Sequence, residues 1–481
     1  MALEAGIARA IINPPLDIPS GMWMAQRHVR GEGLDMDFSV TALVLADGDL
    51  RVALLDFDLC FLSDSQALGI RQAVETATGI PAASILPFCS HTHAGPVILE
   101  SYQGEGDDRV RAYAAGLPHW AAGAARRAAA GLKPVRVAAG FGASDIGINR
   151  DLELEDGRII VGCNPKGFAD TSVGVLRIDT LEGAPMACIV NYACHPTVLG
   201  PGNKLISPDY PGSTRATVEK NTGAMCLFLQ GAAGDMGPVE TFVPRAEVAR
   251  SLGTRLGLEA ARVFLSLETR AVRKQLRSVI ASGGALADYE EVPVETATPR
   301  LGFAAAAVEL PTRHPFADVY ERAPEQLAEA QANLAALQSA GADASTLSAA
   351  FQRIVRLQLR ADRMNRYRDK KTLPVEAFAI RMQDCAIAAI AGEPYSRIGV
   401  DVKTASPFPG TTLFAGYVGG DMMYIPTAEA FAHPFASMQV DNSPYAPEAA
   451  RIATQHLIRL LKQVSSQAEA RSAAVPGRFQ E

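Results

Sequence analysis

Up to about residue 270 the chain alternates short apolar runs with longer amphipathic stretches. Thr41 to Ala46 and Val52 to Asp58 read as neighbouring strands, with Asp47-Gly48 as the turn between them. Ser63 to Thr78 reads as a helix, Ile85 to Ser90 as a buried strand, and Asp108 to Leu132 as a long Ala-rich helix. Further strands are expected at Val135 to Gly140, Val173 to Ile178, Met186 to Tyr192 and Ala224 to Leu229, and then a helix from Arg245 to Leu267. Strands alternating with helices of this length predict an α/β fold, a mixed β-sheet core with flanking helices.

The pattern then changes. Residues 271 to 310 read as extended antiparallel segments. Phe316 to Asn365 reads as a helical hairpin insertion (316–365), rich in Ala, Leu, Glu and Gln and broken near Gly341. Strands are expected at Glu376 to Arg381, Ala386 to Ala391 and Leu413 to Gly416. Helices are expected from Tyr395 and from Pro447 to Lys462. We read residues 1–463 as one large catalytic domain and 464–481 as a flexible tail. No internal repeat is visible.

Composition narrows the function classes. The chain has 481 residues, 48% hydrophobic and 20% charged, as in an ordinary soluble globular protein. A net charge of −7 argues against a nucleic-acid partner, which would call for a basic face. No apolar run approaches the roughly 18 residues of a membrane span, so no integral membrane association is expected. The seven cysteines are scattered, mostly within apolar runs, and read as reduced core thiols. With no secretory signal visible at the N-terminus, a cytoplasmic location is expected. The oligomeric state is left open, a homo-oligomer included.

Two segments carry the chemistry: Ser90-His91-Thr92-His93-Ala94-Gly95-Pro96 and Asn191-Tyr192-Ala193-Cys194-His195-Pro196-Thr197. Three of only eight histidines fall in them, each just after an apolar run. Neutral imidazole is the commonest protein ligand for a transition metal. On extended chain, side chains two apart point the same way, so His91 and His93 are expected to face one cleft. Cys89 and Cys194, beside these motifs, read as small core residues. Asp56 and Asp58, at a strand end, raise the weaker idea of a second cation or a two-metal phosphatase.

His-Thr-His-Ala-Gly-Pro, then a strand ending in His-Pro-Thr, then Gly234-Asp235-Met236-Gly237-Pro238, resembles the neutral/alkaline (non-lysosomal) ceramidase family in motif order. Gly392-Glu393-Pro394-Tyr395 resembles its Gly-Glu-Phe segment, and Tyr424-Ile425-Pro426-Thr427 its Tyr-x-Thr-Thr segment. Ala5-Gly6-Ile7-Ala8-Arg9-Ala10 and Ile148-Asn149-Arg150 also look like the family, so the resemblance runs from about residue 5 to about residue 463.

The resemblance implies one Zn2+ per chain, with His91, His195, Glu393 and Tyr424 as its ligands. His93, Arg150 and Glu393 would be catalytic: His93 toward the scissile carbonyl or the leaving amine, Arg150 as substrate anchor or oxyanion support. Arg150 reads equally well as an ion pair with Asp151 or a neighbour. Glu393 reads alternatively as a cap of the following helix. Asp235 reads equally as an orienting partner of a zinc histidine or as an Asx-turn residue. The implied reaction is hydrolysis of a linear amide of an N-acyl compound, by attack of a zinc-bound water on the carbonyl. An esterase, lactonase or sugar deacetylase on the same site stays open, as does a non-catalytic binding protein.

The chain also departs from the family. The turn after Asp235 lacks the family's serine, having Gly237 instead, and the segment after Tyr424 lacks its tyrosine-rich run, for which Tyr445 is the candidate substitute. It is too short for the family's immunoglobulin-like domain, and aromatic content is 6%, with Trp23 and Trp120 the two tryptophans. The implied substrate is therefore a soluble N-acyl amide more than ceramide.

Overall fold

The computed structural model describes residues 3–473 apart from 24–29, 99–107, 271, 295–299, 314–316, 421–422, 435–436 and much of 344–368. The largest element is an eight-stranded mixed sheet. In spatial order its strands are Met225–Gln230, Pro185–Tyr192, Ser172–Thr180, Lys133–Ala143, Glu4–Ile11, Ser39–Asp47, Leu50–Phe57 and Ile85–Cys89. Both outermost pairs are parallel; the inner neighbours are antiparallel. The fold class is α/β, as the pattern predicts.

Each parallel pair needs a crossover, and each has a helix: α1, Asp64–Thr78, and α3, Asp209–Thr222. A second helix follows each outer strand: α2, Asp108–Ala130, and α4, Ala246–Ser266. The two halves thus share one connectivity, three antiparallel strands, a helix, a parallel strand and a closing helix. The sequence shows no such repeat, because insertions such as the hairpin Gly147–Glu153/Ile159–Asn164 interrupt it and the side chains have diverged.

Burial follows the pleat. On the strand Ser39–Asp47, Val40, Ala42 and Val44 pack toward α1 and α2, while Leu43 and Leu45 face a second sheet. That sheet has four strands in the order Leu301–Pro311, Thr372–Met382, Cys385–Ile390 and Thr412–Ala415. Phe378, Ile380, Ile387, Leu413 and Ala415 close this interface. The outer face of the second sheet carries the helices Ser396–Thr404 and Ala449–Ala473. The result is four layers, helices–sheet–sheet–helices. Strands buried on both faces read as unbroken apolar runs, which is why these were legible in the sequence.

Some elements were not expected. α3 was not read as a helix because its residues are mostly polar or small, yet Asp209 to Arg215 are all buried. The C-terminal helix passes the expected end at Lys462 and reaches Ala473, with Val464 fully buried. Of the helical hairpin, α5, Ala317–Ser339, is observed and Gly341 follows in the left-handed conformation. Its second arm, to Asn365, lies largely outside the described residues. No helix among the described residues is long and apolar enough to cross a membrane.

The central strands Glu4–Ile11 and Lys133–Ala143 pair through only two residues each. The halves therefore diverge, and the edge strand Met225–Gln230 comes back against the first half. Phe228 N–H donates to Asp56 Oδ2 at 2.8 Å, and Arg9 donates to the Cys226 carbonyl at 2.9 Å. This return brings the C-terminal ends of the two parallel pairs side by side.

Candidate functional site

His91 lies in the turn after Ile85–Cys89, and His195 in the loop after Pro185–Tyr192. His91 sits at φ +71°, a left-handed conformation uncommon for residues other than glycine, though histidine enters it more readily than most. The expected extended alternation is thus replaced by a tight turn. His91 and His93 still converge, with their Nε2 atoms 3.4 Å apart. His91 Nε2 lies 3.1 Å from His195 Nε2.

Each of the two inner imidazoles has its other nitrogen on a backbone carbonyl. His91 Nδ1 is 2.6 Å from Cys60 O, and His195 Nδ1 is 2.7 Å from Ala233 O. A proton on each Nδ1 leaves both Nε2 lone pairs aimed at the same point. Each half provides one histidine and one carbonyl from neighbouring turns, but the roles are exchanged: Cys60 follows the inner strand Leu50–Phe57, whereas Ala233 follows the outer strand Met225–Gln230.

Glu393 completes the group from the two-residue strand Glu393–Pro394, which pairs in parallel with Tyr424–Ile425 and sets Glu393 beside Tyr424. Its Oε2 is 3.2 Å from His195 Nε2 and 3.5 Å from His91 Nε2, yet makes no hydrogen bond. Glu393 does not cap the next helix. That task falls to Asp235, which accepts from Ser396 N–H at 2.6 Å and from Ser396 Oγ at 2.9 Å. Asp235 therefore neither orients a histidine nor closes an Asx turn. Burial raises its pKa to about 7.

Arg150, from the strand Gly147–Glu153, is buried and donates to the Gly234 carbonyl at 2.8 Å and to the Tyr424 hydroxyl at 3.2 Å. These contacts replace the ion pair with Asp151 that the sequence allowed. Asp151 instead accepts from Gln439 at 2.7 Å and from the Tyr395 hydroxyl at 3.4 Å. Burial disfavours the Arg150 cation, but Tyr424, Tyr417 and Glu393 around it keep it protonated.

Removal from water dominates the electrostatics. With Arg150 nearby, it lowers His195 to about 3. The same desolvation, with His91 and His195 beside it, pushes His93 well below the usual imidazole range. Burial and Glu393 raise Tyr424, so it remains a neutral phenol. Cys60, 3.8 Å from His91 Nδ1, is kept as a thiol by burial and by Glu393.

A shallow surface depression, lined by Gly21, Trp23, His93, Gly200 and Asn203 among others, reaches the group from the His93 side. The Trp23 ring lies 5.0 Å from that of His93. Sequence reasoning missed Trp23 and Tyr417. Tyr417 is fully buried at φ +58°, its ring 4.4 Å from that of His91 and its hydroxyl 3.5 Å from His195 Nδ1. It follows a buried strand directly, the same signal that picked out the histidines. Tyr445 packs in the core with Leu310 and Leu457, away from this group.

Asp56 and Asp58 form no second metal centre. Asp58 binds Ser39 N–H at 2.9 Å, and both carboxylates pair with Arg215. These buried pairs join the two halves of the sheet.

No family model and no curated protein sequence matches the chain. Among solved structures, neutral ceramidase from Pseudomonas aeruginosa is similar over 100% of this chain and 76% of its own, at a TM-score of 0.63 and 17% identity. A ceramidase complexed with C2 is similar over 100% and 77%, with the same TM-score and identity. The chain therefore has a neutral-ceramidase-like fold.

Proposed function

We propose that the chain is a zinc-dependent hydrolase that cleaves the linear amide bond of an N-acyl compound. The observation that carries the reading is the meeting of His91 Nε2, His195 Nε2 and Glu393 Oε2 within 3.5 Å of one another. Two lone pairs and a buried carboxylate oxygen without a hydrogen bond repel one another unless a cation lies between them. Ligands at about 2.0–2.2 Å from a tetrahedral zinc stand about this far apart. His91, His195 and Glu393 would hold the ion, with Tyr424 as a neutral fourth donor.

Bound there, zinc would act as a Lewis acid and acidify a water molecule. The chain's residues have separate tasks around it. His93, neutral and facing the surface depression, donates a ring N–H to the carbonyl oxygen of the substrate as negative charge develops. Arg150, fixed by Gly234 and Tyr424, adds positive charge beside that oxygen. A Glu393 oxygen takes up the proton of the attacking water, and the proton passes to the leaving nitrogen as the C–N bond breaks. The fold of the ceramidase neighbours supports amide hydrolysis as the class.

The test is metal content, by plasma mass spectrometry, of the wild type and of Glu393→Gln purified without chelators. About one zinc per chain in the wild type, reduced at least tenfold in the variant, is the expected result. No stoichiometric metal in the wild type overturns the proposal. Loaded protein is then assayed on a panel of N-acyl amides that includes ceramide.

A further inference from the structure

Beyond the second half of the large sheet, the strands Val272–Ala281 and Ala285–Pro293 form a hairpin closed at Ser282-Gly283-Gly284. Every strand residue except Val272, Asp288 and Val292 is exposed. A two-stranded ribbon that no other described element covers buries too little to be stable by itself. This one also displays Leu276 at 53% exposure, Val279 at 63% and Tyr289 at 58%, and, as one pair on its other face, Ile280 and Leu286.

The register sorts these side chains. Leu276 pairs with Tyr289, Val279 with Ala287, Ala281 with Ala285, and Lys274 with Glu291. Alternation along Ala285–Pro293 puts all four pairs on one face, the bulge at Arg277 correcting the phase of the first strand. That face is an apolar stripe ending in a Lys–Glu pair. The two strands also differ in charge: Arg273, Lys274 and Arg277 on the first, Asp288, Glu290 and Glu291 on the second. Arg277 already pairs with Asp288, and Arg270 with Glu291, in the same chain.

We propose that this face packs against the same face of a second copy of the chain, across a twofold axis running along the strands. That axis lays the basic strand of one copy over the acidic strand of the other. Lys274 then meets the partner's Glu291, joining that existing pair, and Leu276 meets the partner's Tyr289, each contact made twice as an isologous interface requires. Pairing edge to edge through the first strands would set basic residues against basic ones. The face of one hairpin is smaller than the roughly 1,200 Å2 of a standard interface, so the dimer dissociates on dilution.

Sedimentation velocity of the full chain across a range of concentrations tests this. The expected result is a reversible shift from the 50.9 kDa monomer toward twice that mass. Val279→Glu abolishes the shift. Lys274→Glu and Glu291→Lys each weaken association at least tenfold, and the double variant restores it. These exposed positions lie outside the buried core, so the variants are expected to fold. A monomer at every concentration overturns the proposal, as does a dimer that tolerates Val279→Glu and both single charge reversals. Monomeric protein that binds phosphatidylcholine vesicles through Val279 also overturns it, making the hairpin a lipid contact.

Discussion

Within the cluster, His91 stands within hydrogen-bond reach of both His195 and His93, but the three imidazoles carry different constraints. His91 and His195 are oriented by carbonyls, whereas His93 Nδ1 has no partner and its ring borders the surface depression. His91→Ala and His195→Ala are therefore expected to lose both zinc and activity. His93→Ala is expected to keep zinc and lose about 10²- to 10⁴-fold in rate. Zinc content and kcat measured on the same preparations separate the roles; zinc lost from His93→Ala as strongly as from His91→Ala reverses them. His91 and Tyr417, both at positive φ in contact with each other, show where the fold holds backbone in an unfavourable conformation to fix the site.

Short connections, more than the long helices, set the site's precision. Gly234 donates to the Pro394 carbonyl at 2.8 Å, and its own carbonyl receives Arg150. A Cβ at Gly234 would stand 2.6 Å from Glu393 O and 3.0 Å from Pro394 O, both backbone atoms that cannot swing aside. Gly234→Ala is thus expected to displace Glu393 and reduce zinc affinity about 10- to 100-fold while the sheets stay folded. Zinc titration with far-ultraviolet circular dichroism checks this, and unchanged affinity would show that the Gly234–Pro394 contact does not position Glu393. Asp235 works through the same connection by holding the first turn of Ser396–Thr404.

Over the whole molecule, the seam between the two halves is polar and buried. Asp56 lies 1% exposed with Oδ1 unpartnered, and burial, partly countered by Arg215, raises its pKa to about 6. A carboxyl that binds its proton more tightly folded than unfolded favours the native state at low pH. That contribution is present below about 4, the unfolded pKa, and is lost as pH rises through about 6. Asp56→Asn removes this dependence and leaves Arg215 paired with Asp58. Relative to the wild type the variant should gain stability at pH 8 but not at pH 4, measured by urea unfolding of metal-stripped protein. An equal effect at both values would show that Asp56 is ionised throughout.

Much of this was legible along the chain. Strands such as Ser39–Asp47 and Pro185–Tyr192 are buried on both faces, so their positions follow from unbroken apolar runs. The histidines and Glu393 stand where such runs end, and strand ends are where a layered fold exposes side chains to a ligand. α3 was illegible because its buried surface is polar, satisfied by partners such as Asp56 and Asp58 that lie far away in sequence. The role of Asp235, the carbonyls behind His91 and His195, and Tyr417 are likewise decided in three dimensions. By itself, then, the sequence determined the α/β class and, through the family resemblance, the candidate ligands; the stacking of a second sheet on the first was not legible in it. Only the tertiary structure decided that His91 and His195 meet, because that depends on two diverging half-sheets bringing their parallel ends together.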